Sequence, residues 1–403
     1  MKKNYLLLAV FAVIITFFSA CKKETFYKTL IITGQNNHNW KASSPLLKQL
    51  LDQTGLFSSE ILTTPDKGGD MKAFDPDFSK YKLVVIDYNG DSWSEKTNTA
   101  FVDFVRNGGG VVIYHAANNS FPAWKEFNEM TGLGGWGDRN QKDGPYVYYK
   151  NDQLVTDTTA GNGGSHGKRR EFIVRTRITD HPVTKGLPVR WLHGTDELYS
   201  QLRGPAKNMQ ILATAFADSS KGGGTMRDEP MLMTITFGKG RIFHTAMGHA
   251  DEGGGPAMQC VGFITTLQRG AEWAVTGEVT QQIPWDFPTS AGVVLRPDFK
   301  EITLDQAIEN IGSYDITKST KNLSYIQNKI RSLQGDEEGL LNFEKTMVKV
   351  LIGKETSVEA KKLILRELSW MGTDYSVDAI KDLVSNEDLK DEAEFALKRL
   401  QTK

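Results

Sequence analysis

Apolar residues recur along this chain in two rhythms. Up to about residue 277, short β-branched runs alternate with segments whose apolar residues fall three and four apart, and beyond residue 300 only the helical spacing remains. The clearest strands are predicted at 28–33 (KTLIIT), 82–87 (KLVVID) and 110–114 (GVVIY), with a further one at 59–63. Val111, Val112 and Ile113 form a run suited to a strand buried on both faces of a parallel sheet. Between these strands, Ser43 or Ser44 with Pro45 opens a predicted helix through residue 53, and Ser92 with Glu95 forms a capping-box pattern ahead of Phe101, Phe104 and Val105. Later strands are expected at 147–149, 171–178, 209–215, 230–237 and 241–245, the last two as a hairpin, before a helix over 256–276. This alternation is the signature of an α/β layered fold.

The remaining segments divide the chain into 1–21, 22–277, 278–299 and 300–403. Lys2 and Lys3, an apolar stretch over 5–18 and Ser19-Ala20-Cys21 read as a secretory signal. It resembles the lipobox of bacterial lipoproteins, with Phe18 a departure from the usual aliphatic residue. That resemblance implies lipidation at Cys21 and an exported protein anchored to a bacterial membrane, facing periplasm or cell surface. Residues 134–169, rich in Gly, Asn and Asp, read as long loops near a site, and 278–299, with Pro284, Pro288 and Pro297, as a linker. Helices at 358–368, 377–384 and 389–400 resemble a degenerate HEAT-like repeat and suggest a packing role or a surface for a protein partner.

Composition narrows the chemistry. The chain has two cysteines; if Cys21 carries lipid, Cys260 stands alone in an apolar helical run, as a core residue with no disulfide framework around it. Lysine and arginine number 48 against 49 aspartates and glutamates, with no basic stripe, so nucleic acid is not an expected partner.

Three predicted strands end in polar clusters: 34–40 (GQNNHNW), 87–93 (DYNGDSW) and 115–120 (HAANNS). Parallel strands would bring these ends to one sheet edge, where open α/β folds bind ligands. The amides of Asn37, Asn89, Asn118 and Asn119, with His38, suit sugar hydroxyls, and Trp40, Trp93, Trp124 and Trp136 offer faces for the apolar side of a ring. Residues 192–199 (LHGTDELY) add His193, Asp196, Glu197 and Tyr199, with Asp196 and Tyr199 expected to bind substrate. His249 follows the 241–245 strand. His115, His249 and Glu197 are therefore the catalytic candidates, since a histidine at a strand end beside a carboxylate serves as base or metal ligand. His115, His193 and His249 are candidates for holding a zinc-type divalent ion, although their spacing matches no compact zinc signature. His244 reads as a satisfied strand histidine and His166 as part of a Gly-rich lid.

Taken together, GGGVVIYHAANNSF, TDHPVTKGLP, DELY at Asp196–Tyr199 and GKGRIFHTAMGHA, followed by RGAEWA at 269–274, resemble the ThuA-like, or trehalose-utilisation, family over residues 28–277. The resemblance implies a flavodoxin-like, doubly wound, mostly parallel sheet like that of class I glutamine amidotransferases. His115 stands where those enzymes carry a nucleophilic cysteine, so thiolate-driven glutamine hydrolysis is not expected. It further implies sugar catabolism through 3-keto derivatives of disaccharides and related glycosides. A C3 ketone acidifies the C2 proton, and its removal lets the glycosidic oxygen leave C1. On this reading His115 or His249 is the base, the other histidine or a metal steadies the oxyanion, and Glu197 or Asp196 orients a histidine or protonates the leaving group. The alternative is a surface lipoprotein that binds carbohydrate without catalysis.

Overall fold

A computed structural model describes residues 26–300, 303–317 and 321–402; the segment expected to be a secretory signal, with Cys21, lies outside the described residues. The chain opens through β1 (Tyr27–Thr33), α1 (Trp40–Asp52), β2 (Phe57–Thr63), β3 (Leu83–Ile86), α2 (Glu95–Arg106), β4 (Gly110–Tyr114) and α3 (Lys125–Thr131). It continues through β5 (Tyr146–Lys150), β6 (Gln153–Asp157), β7 (Ser165–His166), β8 (Arg170–Thr176), β9 (Arg190–Asp196) and β10 (Tyr199–Ser200). β11 (Met209–Phe216), β12 (Asp228–Phe237), β13 (Gly240–Thr245), α4 (Gly255–Gln259) and α5 (Val261–Thr276) follow.

The main sheet runs β2-β1-β3-β4-β13-β12-β11-β8-β9. Its first five strands are parallel, as the apolar runs predict, and β3 and β4 are buried along their whole length. Burying each Val or Ile there contributes about 1.5–3 kcal/mol. From β12 onward the pairing is antiparallel, with the β5–β6 hairpin attached to β12, so a flavodoxin-like half continues into an antiparallel half. The β12–β13 hairpin turns at Gly238, whose φ of 60° suits glycine.

Several local expectations shift. α1 is capped by Asn39, whose side chain accepts from Ala42 N, which frees Ser43 and Ser44 to turn inward onto Asp87. α2 is capped by Ser94 rather than Ser92. The helix expected over 256–276 is broken at Cys260, which is extended (ψ 124°), because residues 294–296 run alongside it. Val261 N donates to the Val294 carbonyl and Arg296 N to that of Gln259. Residues 278–299 therefore pack against the α/β body instead of forming a loose linker. Phe287 and Phe299 are buried, and Arg296 meets Asp286 in a buried two-pronged ion pair (3.1 and 2.5 Å). Beyond them α6 (Leu304–Ile311), α7 (Lys321–Ser332), α8 (Glu337–Leu351), α9 (Val358–Met371), α10 (Asp374–Lys381) and α11 (Lys390–Leu400) share a separate core around Met347, Leu351, Leu365 and Leu368. Among the described residues no helix is long and apolar enough to cross a membrane.

Candidate active site

The carboxyl edge of the parallel strands carries an unusual concentration of histidine. β4 ends at Tyr114, and His115 follows with φ 46°, a left-handed conformation that non-glycine residues rarely adopt. The strain is held by a hydrogen bond from His115 Nδ1 to the Ala246 carbonyl (2.9 Å) and by stacking on the Tyr199 ring (4.4 Å between centroids, 27°). His38 comes from the turn after β1, Glu197 from just beyond β9, and His249 from the turn after β13. One ligand atom from each of these four side chains can be chosen so that all lie within 4.8 Å of one another.

Glu197 is the hub. His38 Nε2 and His115 Nε2 lie 3.2 and 3.6 Å from Oε2, and His249 Nδ1 and His166 Nε2 lie 3.3 and 3.8 Å from Oε1. Burial alone would raise the Glu197 pKa, but the imidazoles of His115, His249 and His38 gathered around it outweigh that and hold the carboxyl well below the usual carboxylate range. Burial lowers the pKa of His38, an effect the Glu197 hydrogen bond offsets only in part. Burial also works against protonation of His249, yet there Glu197 prevails and the value rises. A carbonyl can only accept, so His115 Nδ1 carries the proton and Nε2 presents a lone pair towards the carboxylate, an assignment made from the bonding network.

Above this hub opens a cavity of about 380 Å³ lined by Asn37, Asn89, Asn119, Trp136, His166 and Tyr199 together with His38, Glu197 and His249. Its far wall is a two-stranded ribbon of β7 and β10 that pairs His166 with Tyr199. The Gly-rich approach to that wall is pinned by two buried arginines that bond to carbonyls. Arg139 reaches the Asn119, Ser120 and Gly135 carbonyls, and Arg203 reaches those of Gly144, Thr159 and Gly161. Sequence reasoning gave neither arginine a role.

A second polar layer lies beneath the cavity. Asp196, fully buried, uses both oxygens twice: Oδ1 accepts from the backbone N–H of Glu197 (2.7 Å) and His249 (3.1 Å), and Oδ2 from Gly248 N (2.7 Å) and His193 Nε2 (2.8 Å). One carboxylate thus fixes the backbone of two hub residues. His244 donates through Nδ1 to the Thr131 carbonyl (2.9 Å) and accepts from Asn118 Nδ2 (3.1 Å) at Nε2. Burial pushes its pKa down to about 4, so it stays neutral. His38 is positioned by a chain through Asn36, whose Oδ1 accepts from His38 N (3.0 Å) and whose Nδ2 donates to Asp87 (3.1 Å). Burial pushes the Asp87 carboxyl up to about 7, against the hydrogen bonds of Ser43, Ser44 and Asn36.

The expected residues therefore fall into two groups. His115, His249 and Glu197 meet, and Asn37, Asn89, Asn119 and Tyr199 line the cavity above them. Asp196 and Asn118, expected on the substrate, are buried struts whose polar groups face the protein. His193, expected as a metal candidate, is bonded to Asp196 in that lower layer and is not in the cluster. His38, expected on substrate, lines the cavity and also joins the hub. Of the four tryptophans considered, only Trp136 lines the cavity, while Trp93 and Trp124 pack with Phe101 and Phe121 in an aromatic core.

The profile of the ThuA family, described as trehalose utilisation, matches residues 28–274, and the chain belongs to that family. Among solved structures, a ThuA-like protein of Parabacteroides merdae is similar at 52% identity, with a TM-score of 0.67, over 69% of this chain and 100% of the other. A ThuA-like protein of Bacteroides uniformis matches at 19% identity and a TM-score of 0.43, over 63% of this chain and 93% of the other. No curated protein matches the chain.

Proposed function

We propose that this chain is a sugar-catabolic enzyme acting on a 3-keto-glycoside or related disaccharide derivative, with the Glu197 hub as its reaction centre. The observation that carries the proposal is a polar cavity of sugar-binding character whose floor is three imidazoles converging on one carboxylate. Asn37, Asn89 and Asn119 supply amides for ring hydroxyls, and Trp136 and Tyr199 supply flat faces.

The reaction needs a base, and geometry favours His166 over the two histidines expected from the sequence. His115 is 1% exposed and committed through Nδ1 to Ala246, while His249 faces Glu197 through Nδ1 and Asp251 through Nε2 (3.6 Å). His166, with 38% of its side chain exposed, binds the Gly167 carbonyl through Nδ1 and keeps Nε2 at the cavity wall. In the proposed reaction, His166 Nε2 takes the C2 proton of a substrate whose C3 carbonyl oxygen rests at the hub, and negative charge collects on that oxygen. The C1–O bond then breaks, leaving a C1=C2 double bond conjugated to the ketone, and the departing oxygen takes the proton back from the imidazolium. The family's link to trehalose utilisation supports this substrate class.

Incubating the protein with 3-keto-trehalose or an aryl 3-keto-glucoside tests the proposal. Release of sugar or phenol is the expected result, binding without release would make the chain a carbohydrate-binding module, and neither would remove this substrate class. The same reading places the enzyme outside the cytoplasm on a lipid at Cys21. Labelled fatty acid should therefore appear on the wild type and be lost in Cys21→Ser.

A further inference from the structure

The proton inventory of the hub leaves one problem. His115 Nδ1 already donates to a carbonyl, so a hydrogen bond from Nε2 to Glu197 would require a doubly protonated imidazolium at a side chain that is 1% exposed. His38 and His249 aim nitrogens at the same carboxylate. As a neutral ring, His115 instead leaves its Nε2 lone pair buried and facing negative oxygen. That atom has no hydrogen-bond partner, nor has His249 Nδ1. Such a pattern of converging lone pairs around a carboxylate is what a cation resolves.

The geometry points to a divalent first-row transition-metal site formed by His38, His115, His249 and Glu197. Imidazole nitrogen and carboxylate oxygen bind such ions at about 2.0–2.2 Å, which sets neighbouring ligand atoms of a tetrahedron roughly 3.4 Å apart. His38 Nε2 and His115 Nε2 lie 3.2 and 3.6 Å from Glu197 Oε2, which brackets that edge, and His249 Nδ1 lies 3.3 Å from the other carboxylate oxygen. The donor set is three nitrogens and one oxygen with no sulfur, which suits zinc, manganese, iron, cobalt or nickel rather than copper(I) or calcium.

The surroundings are also those of a metal centre. A ligating histidine ordinarily donates its other N–H to a carbonyl or carboxylate. His115 does so to Ala246, and with Nδ1 on the ion His249 would turn Nε2 towards Asp251, itself held by Arg169 (2.7 Å). Asp196 fixes the backbone N–H of both Glu197 and His249 from below. The side facing Asn119, His166 and Tyr199 is open cavity, which leaves room for a ligand oxygen. This ligand set differs from the one the sequence suggested, since His38 and Glu197 enter and His193 does not.

The inference rests on the proposed function only for what the ion would do, which is to polarise a carbonyl as a Lewis acid. Its test needs no substrate. Elemental analysis of the purified full chain should find about one transition-metal ion per molecule. After chelator stripping, Co²⁺ should bind stoichiometrically and give visible d–d bands. Content should fall at least tenfold in His115→Ala and in Glu197→Ala and stay at the wild-type level in His166→Ala. Should a hub variant fail to fold, the stripped wild type still decides through its Co²⁺ titration. No ion in the wild type and no saturable Co²⁺ binding would overturn the site, as would full metal content in folded His115→Ala. Metal without turnover of 3-keto-glycosides would overturn the functional reading and leave the metal site standing.

Discussion

The cavity floor and the layer immediately beneath it are built from the same residue types, yet their hydrogen bonding differs. In the lower layer Asp196 satisfies four donors and His244 uses both ring nitrogens. On the floor His115 Nε2 and His249 Nδ1 are buried without a hydrogen-bond partner, and three imidazoles crowd one carboxylate. Burial does not separate the two layers, since His115, His193 and His244 are all almost fully covered. Convergence does. The lower layer also leaves His193 Nδ1 and Asn118 Oδ1 without a hydrogen-bond partner, but only on the floor do such atoms belong to a group whose ligand atoms meet.

The comparison predicts that floor and layer fail differently. The largest effect is expected at the floor, where Glu197→Ala should lower turnover by about 10³-fold or more, measured as kcat/KM, with the unfolding midpoint of the metal-stripped protein little changed. Asp196→Asn strikes the layer below. An amide offers one acceptor oxygen to four donors, so two are left facing an NH₂ group, and stability should drop by about 3 kcal/mol in urea unfolding. If Asp196→Asn were instead neutral for stability and harmful only to activity, the distinction between layers would fall. His166→Ala, at the cavity wall, should cost about 10²-fold in turnover with no change in stability.

A smaller effect concerns Glu229, which is buried behind the β7–β10 ribbon and accepts from Thr225 and from Gln201 N. Burial pushes its carboxyl up from 4.5 to about 7, against those hydrogen bonds. The folded state therefore prefers the neutral form. Its contribution to stability is complete below pH 4.5 and is lost as pH rises through about 7. Glu229→Gln should flatten that decline, so that wild type and variant diverge in thermal midpoint at pH 8 and converge at pH 4.

Much of the parallel half of the fold was legible, because β3 and β4 are short unbroken apolar runs and β1 ends in one. The antiparallel half was less so. β9, from Arg190 to Asp196, carries Trp191, His193 and Gly194 in place of an apolar alternation, and β7 and β10 are two residues each. The histidines at strand ends were visible in the sequence, but which of them converge was not. His38 and His193 both lie beside polar residues after or within a strand, and only the register of β9 against β8 turns His193 down to Asp196 while the β1 turn lifts His38 to Glu197. The helix break at Cys260 was equally hidden, since the segment that causes it lies more than thirty residues downstream.

The most direct test of the account follows proton exchange at C2 of a 3-keto-glucoside in D₂O by NMR, with metal-loaded protein. Loss of the C2–H signal with the wild type, and its persistence with His166→Ala at equal metal content, is the predicted result. A C2–H signal that persists unchanged with the wild type would contradict enolisation at this site.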